Sequence, residues 1–403
     1  MTEPDSEMLD LLDLLLSADP YAAYARLREE RPVSRARYLD GAPVWLVTRY
    51  ADVKAALTDP RLAHDLASHG IRRGISSGLP ADIAPYFTRS MLDRDPPEHT
   101  RLRGLVSRAF TARRVHQLRP RIRRLAGDLV DRLATRPEAE LIEDLAYPLP
   151  ISVICELLGV APADHDRWRV WAGDLFGVTP GRLASSAREL LDHVLGLIRD
   201  RRDHPTADLV SDLVHVHDGT DRLDEPELAS MVIGLLAAGH ETTVQLIGNG
   251  LYALLTRPDQ LALARTDPAR LPRAVDELLR YLGPAEIAGT RRVATEDIEV
   301  GGVRIRAGEL VLPVLGAANH DPRRFTEPER LDITRTDNQH LGFGHGIHFC
   351  LGAALARAEA EIAIGTLLRR FPRLRLAVPA DQLRWRTSGV RGLARLPVAL
   401  GAG

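Results

Sequence analysis

The 403 residues predict a mainly α, α+β protein: one helix-rich domain over 1–403 with a small β portion. Three observations carry this. From about residue 97 to 256 the apolar residues recur mainly at helical spacing. After residue 290 the pattern changes to strand-like alternation. No linker-like stretch separates the two regions, and a chain that is 45% hydrophobic can bury a large core.

The N-terminal stretch "MTEPDSEMLDLLDLLLSADP" is acidic, and Asp10 and Asp13 interrupt its leucines. It falls far short of the ~20 apolar residues of a membrane span and lacks a basic leader, so a soluble protein with no anchor and no exported form is expected. "PYAAYARLREE" reads as an amphipathic helix and "APVWLVTRY" as part of a hairpin. Residues 65–90 are rich in Gly, Ser and Pro without a period. They predict a long loop or broken helix of a kind that is often functional. The clearest element starts at Asp224-Glu225-Pro226, an N-cap with Pro in the first turn. It runs through "LASMVIGLLAAGHETTVQLIGNGLYALL" and stops before Pro258. About 30 residues at ~1.5 Å each make a rod of roughly 45 Å. Being apolar on nearly every face, it should be buried. "IEVGGVRIRAGELVLPV" alternates, with a turn at Gly301-Gly302. A last helix follows Cys350, then short strands in "RLRLAV" and "LARLPVAL".

The formal net charge of -2 argues against general nucleic-acid binding. Lys54 is the only lysine, and arginine supplies every other basic side chain except histidine. That is the composition of a GC-rich genome, so arginine abundance alone does not mark an anion site. Cys155 and Cys350 are too few for a disulfide framework, and a reducing cytoplasm is the default.

Four stretches carry chemistry. In "FGHGIHFCLG", Phe343 to Gly352, Cys350 has three readings. It is a buried structural thiol, a zinc ligand with His345 and His348, or a thiolate at the start of a helix near Leu351. In the last case Gly344, Gly346 and Gly352 would let the backbone pass close to a flat, bulky partner. "AAGHETT" places a Gly, an acid and two Thr inside the long apolar helix, where they are poor choices unless they back-bond to the helix or serve a site. "DELLRY" sets Glu277 and Arg280 three apart on one helix face, the spacing of an ordinary surface ion pair. "DPPEHTRLRGLVSRAF" sets His99 and Arg103 four apart on another, which alone reads as a solvated polar face.

Taken together and in this order, these stretches resemble the cytochrome P450 family over nearly the whole chain. "FGHGIHFCLG" is similar to its haem loop, Phe-Gly-x-Gly-x-x-x-Cys-x-Gly, whose Cys thiolate holds the haem iron. The resemblance implies a single triangular fold, with haem b between the long distal helix and the proximal Cys helix. It makes Cys350 the metal ligand, with Phe343, Gly344 and Gly352 in the loop around it. Met91, Leu92, Ala238, Gly239, Thr242 and Thr243 would lie against the haem. His99, Arg103, Arg292 and His348 would bind its propionates through charge-assisted bonds. Glu241 and Thr242 would be catalytic, relaying protons during oxygen activation. Glu277 and Arg280 would be structural, locked beneath the haem loop by a third side chain, Arg330 in preference to Arg335.

The implied reaction is the insertion of one atom of O2 into a substrate, by hydroxylation or epoxidation. No flavin or nicotinamide fingerprint is present, so electrons would come from NAD(P)H through a ferredoxin reductase and a ferredoxin. The ferredoxin would dock near His345, Arg357, Arg108, Arg113 and Arg114 on what is expected to be a monomer. The looser likeness is to soluble actinobacterial members that tailor macrolides and other polyketides. Leu235, Ala238, Ile287, Ala288, Gly389 and Val390 would stand over the haem, and their modest size predicts a wide apolar cavity. "ASHGIRRGISSGLP" and "GDLFGVTPGRL" would form its lid, with Gly177, Pro180 and Gly181 breaking a helix and Arg72 and Arg73 at a polar edge. The alternatives are a steroid, a terpenoid or a cyclic dipeptide as substrate, oxidative coupling, a peroxygenase, or a haem sensor. A sensor would not need the acid–Thr pair, and peroxide users generally lack it.

Overall fold

The structure, a computed structural model of the chain, describes residues 8–17, 19–71, 78–175, 181–218, 221–287, 291–386 and 390–401. The helices that matter to the site are, in chain order, α1 (Tyr21–Glu30), α2 (Tyr50–Ala56), α3 (Glu98–Ala109), α4 (Ala112–Leu133), α5 (Pro148–Leu158), α6 (His165–Leu175), α7 (Leu183–Asp203), α8 (Glu225–Leu255), α9 (Leu271–Leu282), α10 (Leu315–Asn319) and α11 (Ala353–Arg370).

Helix α8 begins where its sequence directs. The Asp224 carboxylate accepts from the Glu227 N–H at 2.7 Å, and the Glu227 carboxylate accepts from the Asp224 N–H at 3.0 Å. This reciprocal cap, with Pro226 in the first turn, satisfies donors that a helix start leaves open. The helix ends at Leu255, just before Arg257-Pro258. Nearly every side chain from Val244 to Leu254 is buried, among α5, α9 and α11. Each large aliphatic side chain buried here contributes about 1.5–3 kcal/mol, so α8 is the axis of the main core. No helix among the described residues is long and apolar enough to cross a membrane.

The principal sheet joins β1 (Leu9–Asp10), β2 (Val33–Arg37), β3 (Pro43–Val47), β4 (Leu62–Ala63), β5 (Arg292–Ala294) and, after the β6 (Ile298–Val300) and β7 (Val303–Ile305) hairpin, β8 (Leu310–Pro313). Its spatial order is β1-β2-β3-β8-β5-β4. The expected hairpins are present: β2 pairs antiparallel with β3, and β6 with β7 across Gly301-Gly302. "RLRLAV" yields only Arg375–Leu376 as a strand, paired with Pro397–Ala399. Of the expected helix break in "GDLFGVTPGRL", Gly181 takes φ of +78° just before α7, while Gly177 and Pro180 fall outside the described residues.

Glu277 and Arg280 on α9 are fully buried and doubly hydrogen bonded, at 2.8 and 2.9 Å. The remaining Arg280 donors reach the carbonyls of Asn319 at 2.9 Å, Pro328 at 2.8 Å and Arg330 at 3.1 Å. The third side chain is Arg335, whose Nε lies 3.1 Å from Glu277 Oε2. Arg330, expected in that place, offers only its carbonyl. Its side chain is 60% exposed and pairs with Glu327. Asn319 at the end of α10 accepts from the Leu341 N–H at 2.7 Å, and Leu341 accepts from Gly344 at 2.8 Å. The buried network therefore ends at the root of the Cys350 loop.

Candidate active site around Cys350

The loop from Phe343 to Gly352 folds back on itself. The Cys350 N–H donates to the Phe343 carbonyl at 2.9 Å, and Phe349 donates to Gly346 at 3.1 Å. Gly344 and Gly346 take φ of +72° and +76°, which side-chain-bearing residues rarely adopt. A Cβ on Gly346 would also stand 2.9 Å from the Thr58 methyl just beyond α2. Helix α11 begins at Ala353, two residues later than the sequence suggests, with Gly352 before it. Cys350 keeps accessible surface while loop and helix surround the rest of its sulfur. Burial pushes the thiol up, opposed by the Gly352 N–H and by Arg103 and Arg357. Phe343 is nearly buried beneath it, with the Arg357 guanidinium 4.4 Å from its ring centre.

Around this sulfur the structure gathers histidines and arginines. His348 stacks on His64 at 4.0 Å and lies 4.3 Å from the His99 ring. Arg103 on α3 donates to the Phe349 carbonyl at 2.7 Å. His99 is 2% exposed, and neither ring nitrogen has a hydrogen-bond partner. Arg292 on β5 is 3% exposed with Nη1 unpartnered, and burial pushes its pKa down to about 10 against the attraction of Asp95. Burial likewise holds Arg103 and His99 low, with Arg103 adding to the effect on His99. Buried donors left unmade cost about 1–3 kcal/mol each. These groups fit a buried dianion, and the sulfur beside them fits a soft metal. The zinc reading fares worse, because no His/Cys/Asp/Glu cluster among the described residues could hold a metal ion.

The apolar side of the site is open. Leu92 and Phe349 are each 40% exposed, and Ala238 on α8 is exposed too. Leu92 bridges the two sides. A Cβ on Gly234 of α8 would lie 3.7 Å from its methyl, and its carbonyl is 3.2 Å from His64 Nδ1. Met91 is buried in the main core. Leu235 and Val390 are half-buried and Ile287 is buried. Ala288 and Gly389 lie outside the described residues, as do Arg72 and Arg73.

In mid-α8 the hydroxyls back-bond, Thr242 to the Ala238 carbonyl at 2.9 Å and Thr243 to Gly239 at 3.3 Å. His240 Nδ1 donates to the Leu236 carbonyl at 2.9 Å. Glu241 is buried and held by Gln245 Nε2 at 3.1 Å and by the Arg386 guanidinium. Tyr147 Oη stands 3.5 Å from His240 Nε2, and burial followed by the charge of Glu241 pushes that phenol up to about 12.

Arg386, Gln245, His64 and Arg335 are the side chains that sequence reasoning missed or ranked second. Two of the expected docking arginines are engaged internally: Arg357 bonds Asp276 at 2.7 Å, and Arg114 pairs with Asp212. Arg113 is exposed.

An accessible thiol in a glycine-shaped loop, beside the buried Arg292 and His99 and facing apolar surface, fits a flat, anionic, metal-bearing cofactor. A family model described as Cytochrome P450 matches residues 269–384. Cytochrome P450 107B1 of Saccharopolyspora erythraea is 49% identical over 98% of this chain and 99% of its own length. The 6-deoxyerythronolide B hydroxylase of the same organism is 45% identical over 95% of this chain and 96% of its own. Among solved structures, the tirandamycin C-bound P450 monooxygenase TamI superposes with a TM-score of 0.88 at 42% identity, covering 98% of this chain and 100% of that one. The chain belongs to the cytochrome P450 family. It is a haem-iron monooxygenase that takes a small-molecule substrate, O2 and electrons from redox partners.

Proposed function

We propose that the protein oxidises a macrolide or related polyketide intermediate, placing a hydroxyl or epoxide on one carbon. It works in the cytoplasm as a monomer carrying haem b, with residues 1–403 acting as one unit. The observation that carries this reading is the accessible Cys350 thiol beside the unpartnered buried donors of His99 and Arg292. The 6-deoxyerythronolide B hydroxylase and tirandamycin-bound relatives support the substrate class.

Cys350 would bind the iron, and His99, Arg103, Arg292 and His348 would take the propionates. Bound there, the haem supplies the oxygen-activating chemistry. The chain does the rest. Leu235, Ala238, Ile287 and Val390, with Ala288 and Gly389, would place the substrate by shape. The Thr242 hydroxyl, resting on the Ala238 carbonyl, would turn to hold a proton donor, and Glu241 would pass protons to it from the protein side. Electrons would come from NAD(P)H through a reductase and a ferredoxin that docks near His345, Arg108 and Arg113.

The test is an optical binding titration with macrolactones, steroids, fatty acids and cyclic dipeptides, followed by turnover with surrogate redox partners. Tight spin-shift binding and product with macrolactones are expected. Turnover of only small ligands would defeat the substrate class and leave the monooxygenase intact.

Thr242→Ala should leave ligand affinity within about twofold, because its hydroxyl bonds only its own helix. Coupling of electron use to product should fall roughly 100-fold, the lower end of positioned proton transfer. Peroxide assays alongside product analysis check this, and unchanged coupling would remove Thr242 from the relay.

Arg292→Met should act oppositely on the two forms. The haem-free chain loses a buried cation whose Nη1 has no partner, so its melting temperature should hold or rise. The loaded protein loses a propionate partner, so haem transfer to apomyoglobin should speed up about tenfold. Unchanged transfer would place the propionates elsewhere.

A further inference from the structure

One carboxylate ties α9 and α11 to the root of the Cys350 loop. Asp276 Oδ1 on α9 accepts from Arg357 Nε on α11 at 2.7 Å and from His340 Nε2 at 3.3 Å. His340 Nδ1 accepts from the Gly342 N–H at 3.1 Å. Nε2 therefore carries the ring proton, and His340 meets the carboxylate as a neutral donor. The cation bonded to Asp276 is Arg357.

Both partners of Asp276 rest on one ring. The Arg357 guanidinium lies 4.4 Å from the centre of Phe343, and the His340 ring 5.9 Å from it. The carbonyl of that same Phe343 takes the Cys350 N–H at 2.9 Å. Arg357 thus packs on the residue that orients Cys350, and its charge and that of Arg103 both favour the Cys350 anion. The two arginines are partnered differently. Arg103 bonds a neutral carbonyl, that of Phe349 at 2.7 Å, whereas Arg357 bonds a carboxylate. Burial works against the charge on Asp276, but the bonds from His340 and Arg357 outweigh it and hold the carboxyl below its usual range. At neutral pH the pair is charged on both sides. Water reaches both side chains, 37% and 31% exposed, so the pair contributes little to stability.

We propose that Asp276 is a positioning residue that holds Arg357 over Phe343 and offsets its charge at the Cys350 sulfur, so that the bound haem stays hard to reduce. A cation near a sulfur-ligated iron favours the form with the extra electron, and an anion bonded to that cation withdraws the preference. The sulfur then keeps its donation to the iron, the push that favours splitting of O2. Asp276 touches neither substrate nor the reacting atoms and acts through Arg357. This rests on the reading of Cys350 as the iron ligand.

The test is the reduction midpoint of the haem-loaded protein, titrated at equilibrium against a redox dye. Wild type, Asp276→Asn, Asp276→Glu, Arg357→Met and the double variant Asp276→Asn/Arg357→Met are compared, with haem per chain and the ~450 nm band of the reduced carbon monoxide complex recorded for each. Asp276→Asn keeps an acceptor for Arg357 and loses only the charge. It should favour reduction about threefold to tenfold, which is ~28 to ~59 mV for one electron. Arg357→Met should disfavour reduction by a similar factor. The double variant should return to within about twofold of wild type, and Asp276→Glu should stay there. Loosened packing would move both single variants the same way, so the reversal of sign separates charge from structure. Single variants that shift in one direction overturn the proposal, as does a double variant as far from wild type as either single. Should Asp276→Asn load too little haem to titrate, Arg357→Met decides alone, and a midpoint at or above that of wild type overturns it. A wild type without the ~450 nm band overturns instead the thiolate reading beneath it.

Discussion

Cys350→Ala is expected to abolish oxygen insertion and the absorbance near ~450 nm that marks the reduced carbon monoxide complex of a haem held by thiolate. No other sulfur can take its place. Cys155, the only other cysteine, is buried inside α5, and burial pushes its thiol up to about 12. A thiol so hard to ionise and so enclosed is no ligand at neutral pH. Burial pushes the Cys350 thiol up as well, but its surroundings oppose this where those of Cys155 do not. Cys350 has accessible surface, a hydrogen-bonded backbone from Phe343, the Gly352 N–H at its sulfur, and Arg103 and Arg357 near enough to favour its anion. The variant should still fold, because the loop's shape rests on Gly344, Gly346 and the Leu341 anchor rather than on the sulfur. Cys155→Ala is the control, costing roughly 1 kcal/mol of packing or more while keeping the band. A normal thiolate band in Cys350→Ala would end the assignment of the axial ligand.

The elements legible in the sequence were those with a local physical signature. Helix α8 announced itself through its cap and its unbroken apolar length, and the β6–β7 hairpin through alternation about two glycines. The Cys350 loop was legible because its glycines are required by backbone geometry and its motif is dense. What stayed hidden depends on distant chain segments meeting. Arg386 and Glu241 are 145 positions apart, and Arg386 sits in an irregular stretch where spacing says nothing of direction. His64 is a lone histidine whose partner is supplied by the fold. Arg330 and Arg335 both follow α10 in segments without a period, so sequence distance could not tell which side chain turns inward. Arg114 and Arg357 show the cost of an arginine-rich composition, since the sequence cannot separate an exposed guanidinium from one bonded to an aspartate. The stripe of Glu241, Gln245 and Asn249 was present as a pattern all along. Its polar groups at helical spacing inside an apolar rod required polar partners, which the Arg386 guanidinium and the Arg391 carbonyl supply.

Glu277→Ala should be the most damaging change outside the cofactor site. Its carboxylate is fully buried and accepts from Arg280, Arg335, Asn338 and the Asp332 N–H, the last at 3.0 Å. Removing it leaves two guanidiniums close together, one of them fully buried, with no anion between them. Breaking a buried pair from one side costs about 3–5 kcal/mol, against a total stability of about 5–15 kcal/mol. At about 2.1 cal/mol/K per residue, a loss near 4 kcal/mol lowers the melting temperature of a chain this long by about 5 °C. The local effect should exceed the global one. Arg280 reaches Asn319, and Asn319 holds Leu341, so the loosened network releases the root of the Cys350 loop before the rest of the core. Haem content and the ~450 nm band should therefore fall further than the melting temperature alone implies. Arg335→Ala should show the same pattern more mildly, since Glu277 keeps both bonds to Arg280. Arg330→Ala should stay within about 0.5 kcal/mol, because its exposed side chain takes no part. Measuring haem per chain and melting temperature for the three variants separates these expectations. Full haem loading in Glu277→Ala, or an Arg330→Ala as harmful as Arg335→Ala, would show that the buried pair does not hold the loop.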